Sequence, residues 1–287
     1  NDFALIDNME GIKQEDFAPT LFSQWQIASN PGPIRSDPNR LTWTSEEVHI
    51  LDINPRSQAG SQEVQKVLSL SYDFSDFLTQ EISIVFPFSI AGIDMSQRSI
   101  LEVVMLGDGN SNQLNFHLGA IDENADGSGV PRTEDLNADG ILQPTEDIGF
   151  LYDIGGGKSK RYGTGNGILD NVDLDKNNRL DPGDFTGGDF GYVSGSAFPD
   201  ANAPLTPHAN GTIDFSGPTW RTLQIPLNIS SATLSRHTNI KQIRLSVKKG
   251  VTSVTNIGTI KFARIAVVGN TWQRGQAGDP AKPSVSA

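Results

Sequence analysis

The sequence predicts an all-β protein: an antiparallel, jelly-roll-like β-sandwich that is interrupted by one long insertion. Short apolar segments alternate with turn residues, as in proteins built from packed antiparallel sheets. The chain of 287 residues contains 29 glycines and 16 prolines, a turn-rich composition that argues against a helical bundle. No helical periodicity longer than about two turns is present.

The predicted strands fall into two blocks, one on each side of residues 121–210. Several strands alternate apolar and polar residues with period 2, most clearly in 243–247 and 260–267. Turn residues such as Asn54-Pro55 and Ala91-Gly92 separate them. The predicted strands are Val48–Ile53, Val64–Phe74, Glu81–Phe88, Arg98–Met105 and Gln113–Leu118, followed by Gly211–Phe215, Arg221–Ile229, Ile240–Val247 and Ile257–Val268.

The acidic residues are concentrated between these two blocks. Residues 121–189 carry 15 acids and 6 bases, whereas the whole chain has 34 acids and 22 bases. These acids alternate with Asn and Gly, as in ordered turns, and do not form the blocks of a disordered tail. We therefore predict a first β block (1–120), a Gly/Asp/Asn-rich insertion (121–210), a second β block (211–274) and a flexible tail (275–287).

A twelve-residue motif in the insertion predicts a calcium site. A hard cation requires six to eight oxygen ligands, and an EF-hand-type loop supplies them from positions 1, 3, 5, 7, 9 and 12 around a tight turn at position 6. Gly140 stands at position 6 of a loop that begins at Asp135. Its ligand positions hold Asp135, Asn137, Asp139, Ile141 (through the backbone carbonyl), Gln143 and Glu146.

A second copy of the motif follows 38 residues later, so the sequence predicts at least two Ca²⁺ ions. Asn178 replaces glycine at position 6, which is tolerable because Asn adopts positive φ more readily than most residues. Asx-rich turns also form without metal, but two complete loops favour calcium. The ligand positions hold Asp173, Asp175, Asn177, Arg179 (through the carbonyl), Asp181 and Asp184.

Weaker half-sites precede both loops. Upstream of Asp173, a frame with Thr164 at position 3 is spoiled by Tyr162 at position 1. Upstream of Asp135, frames that begin at Asp122 and at Asn124 compete. The weaker metal candidates are Asp122, Asn124, Asp126, Ser128, Asn166 and Asp170.

Composition excludes several functional classes. A formal charge of −12 without a basic patch disfavours nucleic acid, whose phosphates would be repelled. No cysteine is present, which excludes disulfides and thiolate chemistry. No uninterrupted apolar stretch of 18 residues exists, so we predict no membrane-spanning helix. No catalytic constellation stands out, and we predict that the protein is not an enzyme.

The four tryptophans have two interpretations. They could line a sugar-binding platform, but burial in the core is the more common role of such residues. They are Trp25, Trp43, Trp220 and Trp272.

Three segments resemble the jelly-roll units of SprA, the very large outer-membrane gliding and secretion protein of Bacteroidetes-type bacteria. They are Ile6–Gly11 followed by Trp25, the calcium-loop phrase 133–142, and the closing segment 260–272. The resemblance implies an extracellular β-sandwich with bound calcium. It does not extend to secretion itself, because that family has a large membrane barrel. The opening segment also resembles secreted carbohydrate-binding jelly rolls.

These observations predict an extracellular or cell-surface location, where high ambient calcium suits weak structural sites. The leading hypothesis is a structural or assembly protein of the cell surface, a subunit of an array or fibre. It would self-associate or bind other surface proteins, for example through strand pairing by residues Phe3–Ile6. The alternative is a secreted carbohydrate-binding module that binds glycans, and a polysaccharide-active enzyme is the third hypothesis.

Overall fold

The protein is a sandwich of two antiparallel sheets, as the sequence predicts. The structure is a computed structural model that describes residues 12–31, 37–76, 79–110, 112–193, 220–227, 234–250 and 256–271. The strands are β1 (Ile12–Ala18), β2 (Gln26–Ile27), β3 (Leu41–His49), β4 (Val64–Asp73), β5 (Glu81–Pro87), β6 (Ile100–Leu106), β7 (Gln113–Ala120), β8 (Phe150–Gly155), β9 (Lys158–Tyr162), β10 (Asp184–Val193), β11 (Arg221–Pro226), β12 (Gln242–Lys248) and β13 (Ile257–Thr271).

Within the described residues, one sheet has the strand order β11-β6-β13-β4-β3, with β1 also paired to β13. The other has the order β10-β7-β12-β5-β2. The apolar side chains of both sheets meet in one core, where the Phe116 ring of β7 lies 6.4 Å from the Phe262 ring of β13. The period-2 pattern explains this core: alternate residues of β6, from Leu101 to Met105, are buried.

Helix is confined to short turns. The described helices are α1 (Ile50–Ile53), α2 (Leu234–His237) and the 3₁₀ turns Phe22–Gln24 and Pro38–Arg40. The predicted strand 48–53 is therefore wrong at its end, because the chain leaves β3 at His49 and forms α1. The Asn54 N–H closes that turn on the Ile50 carbonyl at 2.8 Å, and Pro55 follows. None of these helices approaches the length needed to cross a membrane.

The acidic insertion leaves the sandwich after β7 and returns at β10. It contains the hairpin β8–β9, which forms its own two-stranded sheet. Strand β10 falls within the range predicted for the insertion, yet it pairs with β7 as an edge strand of the sandwich. The predicted strand Gly211–Phe215 and the proposed pairing segment Phe3–Ile6 lie outside the described residues.

The insertion is packed against the sandwich. Tyr162 of β9 stacks on Trp43 of β3, with ring centroids 6.4 Å apart. The side chain of Gln26 donates to the Leu169 carbonyl at 2.7 Å and accepts from the Asn171 N–H at 3.0 Å. The insertion is therefore an ordered layer with its own share of the core.

Candidate calcium loops and an adjoining cleft

The two predicted loops begin in the same way. We call residues 135–146 the first acidic loop and residues 173–181 the second acidic loop. In each, the aspartate at position 1 accepts hydrogen bonds from the backbone N–H groups of positions 5 and 6, which folds the loop around that carboxylate. The bonds to Asp135 come from Asp139 (3.0 Å) and Gly140 (2.8 Å), and those to Asp173 come from Asn177 (3.2 Å) and Asn178 (2.7 Å).

Both loops also have left-handed backbone at the same two positions. At position 4, Ala138 and Lys176 both have φ of 60°. At position 6, Gly140 has φ of 77° and Asn178 has φ of 61°. Asn178 thus adopts the conformation expected of it, and the two loops turn alike despite their different residues.

A glutamate closes each loop by accepting from the N–H groups of positions 2 and 9. Glu146, the residue predicted at position 12, does so within the first loop. In the second loop this role falls to Glu123, which lies 50 residues before Asp173 in the chain. The bonds are Leu136 N–Glu146 Oε1 (3.1 Å), Gln143 N–Glu146 Oε2 (3.2 Å), Leu174 N–Glu123 Oε1 (3.1 Å) and Asp181 N–Glu123 Oε2 (3.0 Å).

Asp184 is the residue that the spacing predicts at position 12 of the second loop. It begins β10, and its Cα is paired with that of Ala120. The chain has already rejoined the sandwich at this point, and sheet pairing takes precedence over the loop spacing. The sequence motif is continuous in the first loop and divided between two segments in the second.

The second loop brings three carboxylates together. One oxygen from each of Glu123, Asp175 and Asp181 lies within 4.8 Å of the others. Burial raises the pKa of Glu123, and the negative charge of Asp175 raises it further, against hydrogen bonds from the backbone. A divalent hard cation bound between these carboxylates would relieve their mutual repulsion. A small cleft beside the loop, of about 240 Å³, is lined by the same three residues.

The first loop is held together by side-chain hydrogen bonds. The side chain of Asn137 donates to Asp139 Oδ2 at 3.0 Å, and the Gln143 amide donates to the same oxygen at 2.7 Å. The Lys176 ammonium of the second loop lies 3.9 Å from Asp135 Oδ2, so the two loops are neighbours. At position 7, the N–H groups of Ile141 and Arg179 donate at 2.8 Å to the position-5 side chains of Asp139 and Asn177.

In the upstream half-site around Asn124, an arginine side chain pairs with the acidic residue. Gly129 N–H donates to Asn124 Oδ1 at 2.9 Å, the same contact that position 6 makes with position 1 in the complete loops. The buried Asp126 pairs with the Arg132 guanidinium at 2.9 Å and accepts from Ser128 N–H at 3.0 Å. A guanidinium thus balances this loop's acid. Asp122 Oδ1 accepts from Asn124 N–H at 2.9 Å, in an ordinary Asx turn.

The other half-site is deeply buried. Asp170 has no exposed surface, and its Oδ2 accepts from the Asn166 amide at 3.0 Å. Burial, reinforced by the nearby Glu134 carboxylate, raises the pKa of Asp170 to about 8.

The tryptophans described by the structure do not form an exposed platform. Trp25 and Trp43 are 0% and 5% exposed, in agreement with a core role. Trp220 is partly buried, and Trp272 lies outside the described residues.

A cleft of about 530 Å³ separates β3 from the insertion. Its apolar floor includes Leu41, Trp43 and Tyr162, and its polar rim comes from both sides. The rim residues are Asn39, Thr42, Thr44 and Ser45 of the sandwich and Arg161, Thr164 and Asn166 of the insertion.

No protein-family model and no curated protein matches the chain. Among solved structures, a family 11 carbohydrate-binding module from Clostridium thermocellum in complex with a β-1,3-1,4-mixed-linked tetrasaccharide is similar over 89% of this chain and 96% of its own, with 11% identity and a TM-score of 0.35. A family 28 module, specific for non-crystalline cellulose, is similar over 89% of this chain and 95% of its own, with 10% identity and a TM-score of 0.35. An exo-β-agarase is similar over 92% of this chain and 26% of its own, with 11% identity and a TM-score of 0.34. All three TM-scores are below 0.5, so these similarities assign neither a family nor a ligand to this chain.

Proposed function

We propose that the protein is an extracellular, calcium-stabilised β-sandwich that binds a glycan without catalysing a reaction. The observation that carries the proposal is the cleft between β3 and the insertion. A sugar presents hydroxyl groups at its edges and apolar C–H groups on its faces. The hydrogen-bonding groups at the rim of this cleft suit the hydroxyl groups, and its floor adds the small exposed parts of Trp43 and Tyr162, each 5% exposed.

The lining of this cleft favours binding over hydrolysis. Glycoside hydrolysis requires a pair of carboxyl groups about 5–10 Å apart, on either side of the scissile bond. The described residues that line the cleft include no Asp or Glu. The polar groups are hydroxyls, amides and the Arg161 guanidinium, and that guanidinium already donates to the carbonyls of Ile148 and Gly149.

Calcium has a structural part in this proposal. The insertion side of the rim, from Arg161 to Asn166, lies between the first and second acidic loops in the chain. Ions bound in those loops would hold this wall in place opposite β3. Millimolar ambient calcium outside cells is sufficient for sites of modest affinity, which supports an extracellular location.

A matched pair of substitutions tests the cleft. Thr44→Arg places a large side chain at the rim from an exposed position of edge strand β3. Thr222→Arg makes the same change at an exposed position of β11, the opposite edge of the same sheet, and serves as the control. A glycan array in 1 mM Ca²⁺ identifies a ligand, and calorimetry then measures its affinity for each variant.

We expect Thr44→Arg to weaken binding at least about tenfold, which corresponds to about 1.4 kcal/mol. Thr222→Arg should bind like the wild-type protein. Equal affinities for both variants would exclude this cleft as the site, and no retention on any array glycan would exclude the function. Surface assembly and the SprA resemblance stay predictions. Sedimentation of a monomer at high concentration in calcium would argue against self-association.

A further inference from the structure

A third loop of the same kind is assembled from two separate segments. Tyr162 occupies position 1 of the half-site at 162–173, but a different residue acts in its place. Asp147 accepts from the N–H groups of Asn166 (3.1 Å) and Gly167 (3.0 Å), which hold positions 5 and 6. These are the contacts that the position-1 aspartates make in both complete loops. Gly165 and Gly167, with φ of 65° and 71°, repeat the left-handed positions 4 and 6.

A glutamate also accepts backbone N–H groups of this split loop, as Glu146 and Glu123 do in the two complete loops. Glu134 accepts from the N–H of Asp170, at position 9, at 3.4 Å, and from the N–H of Gly149. The Asn166 amide donates to Asp170 Oδ2 at 3.0 Å, as Asn177 donates to Asp181 at 3.3 Å in the second acidic loop.

An independent observation indicates a missing ligand. Asp170 Oδ1 is buried and has no hydrogen-bond partner, in a residue with no exposed surface. Glu134 is 1% exposed, and oxygens of both its carboxylate and that of Asp170 would lie within 3.4 Å of a Cβ built on Gly163. No Lys or Arg among the described residues forms an ion pair with either acid, in contrast to Asp126 with its Arg132. Two buried carboxylates side by side are unfavourable without a cation.

We propose that Asp147, Asn166, Asp170 and Glu134 form a third, discontinuous Ca²⁺ site. The Ile168 carbonyl, at position 7, would complete the oxygen set. The site goes beyond the proposed function, and its bound metal can be measured without a glycan. It lies directly behind the cleft, because Asn166 and Ile168 also line that cleft.

Calcium stoichiometry tests the proposal. Metal-free protein is dialysed against 1 mM Ca²⁺, and the bound metal is counted by mass spectrometry for the wild type and Asp170→Asn. Asp153→Asn, in the same insertion but outside all the loops, is the control. We expect three ions in the wild type and the control, and two in Asp170→Asn. Two ions in the wild type would overturn the third site alone, whereas none would overturn the calcium proposal as a whole.

Thermal melting gives a second readout that a purely structural role would not produce. In excess chelator, Asp170→Asn should melt at or above the wild-type temperature, because the amide removes the repulsion from Glu134. In calcium it should melt below the wild type. An equal loss of melting temperature in both buffers would contradict the proposal. If Asp170→Asn does not fold, Asp147→Asn, at a less buried ligand, must remove one bound ion by itself.

Discussion

The substitution Glu123→Gln tests which residue closes the second acidic loop. Glu123 is 4% exposed and accepts two loop N–H groups at 3.1 and 3.0 Å, one on each oxygen. The amide has nearly the same shape but keeps one acceptor oxygen, so the substitution removes the negative charge and one of these two bonds. A carboxylate about 2.4 Å from a divalent ion contributes about 3 kcal/mol even at the dielectric constant of water. Loss of that charge should weaken calcium binding at this loop about 100-fold. If the loop binds with a Kd near 10 µM, the protein in 1 mM Ca²⁺ loses about 2 kcal/mol of stability.

The comparison variant is Asp184→Asn, at the residue that the loop spacing would place at position 12. Calorimetry measures affinity, and the backbone NMR signals of Leu174 and Asp181 report the second loop specifically, since their N–H groups bond to Glu123. We expect these two signals to need about 100-fold more calcium in Glu123→Gln and to be unchanged in Asp184→Asn. The opposite result, with Asp184→Asn weakened and Glu123→Gln normal, would refute the structural assignment.

Two further predictions concern the insertion. The melting temperature in 1 mM Ca²⁺ should lie several degrees above that in excess chelator, because calcium at 100 times Kd adds about 2.7 kcal/mol of stability per site. Asp135→Ala and Asp173→Ala should each remove the contribution of one site. Unchanged metal content in both variants would show that the loops are metal-free turns. Arg132→Met should destabilise the protein by about 1–3 kcal/mol, because the 2%-exposed Asp126 loses its charge partner. Burial raises the pKa of Asp126, but hydrogen bonds and Arg132 outweigh it and hold the pKa below its usual value. The stabilisation by the Asp126–Arg132 pair is therefore present at neutral pH and is lost as the pH falls through the pKa of Asp126 in the folded protein. If the loss of unfolding free energy in Arg132→Met stayed constant into the acid range, the role of this pair would be contradicted.

Most of the sandwich could be predicted because its strands have one buried face. Strand β6 follows from its alternating burial, whereas β12 is buried along most of its length and follows from its regularly spaced apolar residues. Strands that lack such a pattern escaped prediction: β9, with the sequence Lys158-Ser-Lys-Arg-Tyr162, has four exposed residues, and its one partner among the described strands is β8. Strand β10 could not be predicted because its glycines disfavour a strand assignment. Its position is determined by pairing with β7, which is distant in sequence.

The loops could be predicted in part for a related reason. Asp135 to Glu146 form a continuous motif, so local spacing contains all of the information. Glu123 and Asp147 act in loops to which they do not belong in sequence, and no local pattern identifies them.

The position of Glu123 suggests how calcium bound in the second loop would hold the cleft wall in place without contacting the glycan. Glu123 lies where the insertion leaves the sandwich, and the second loop lies where the insertion returns. Residues 121–123 and 181–183, where the insertion leaves and rejoins the sandwich, form a neck. The two sides of this neck are in contact: Glu123 N–H donates to the Asp181 carbonyl at 3.3 Å, and a Cβ on Gly183 would lie 2.5 Å from the Ile121 backbone. An ion held by both sides of the neck would add to the pairing of Ala120 with Asp184, which already joins the ends of this segment of about 60 residues. The wall of the cleft belongs to that segment, whereas the β3 side belongs to the sandwich. Calcium at the neck would therefore stabilise the insertion and, with it, the wall of the cleft.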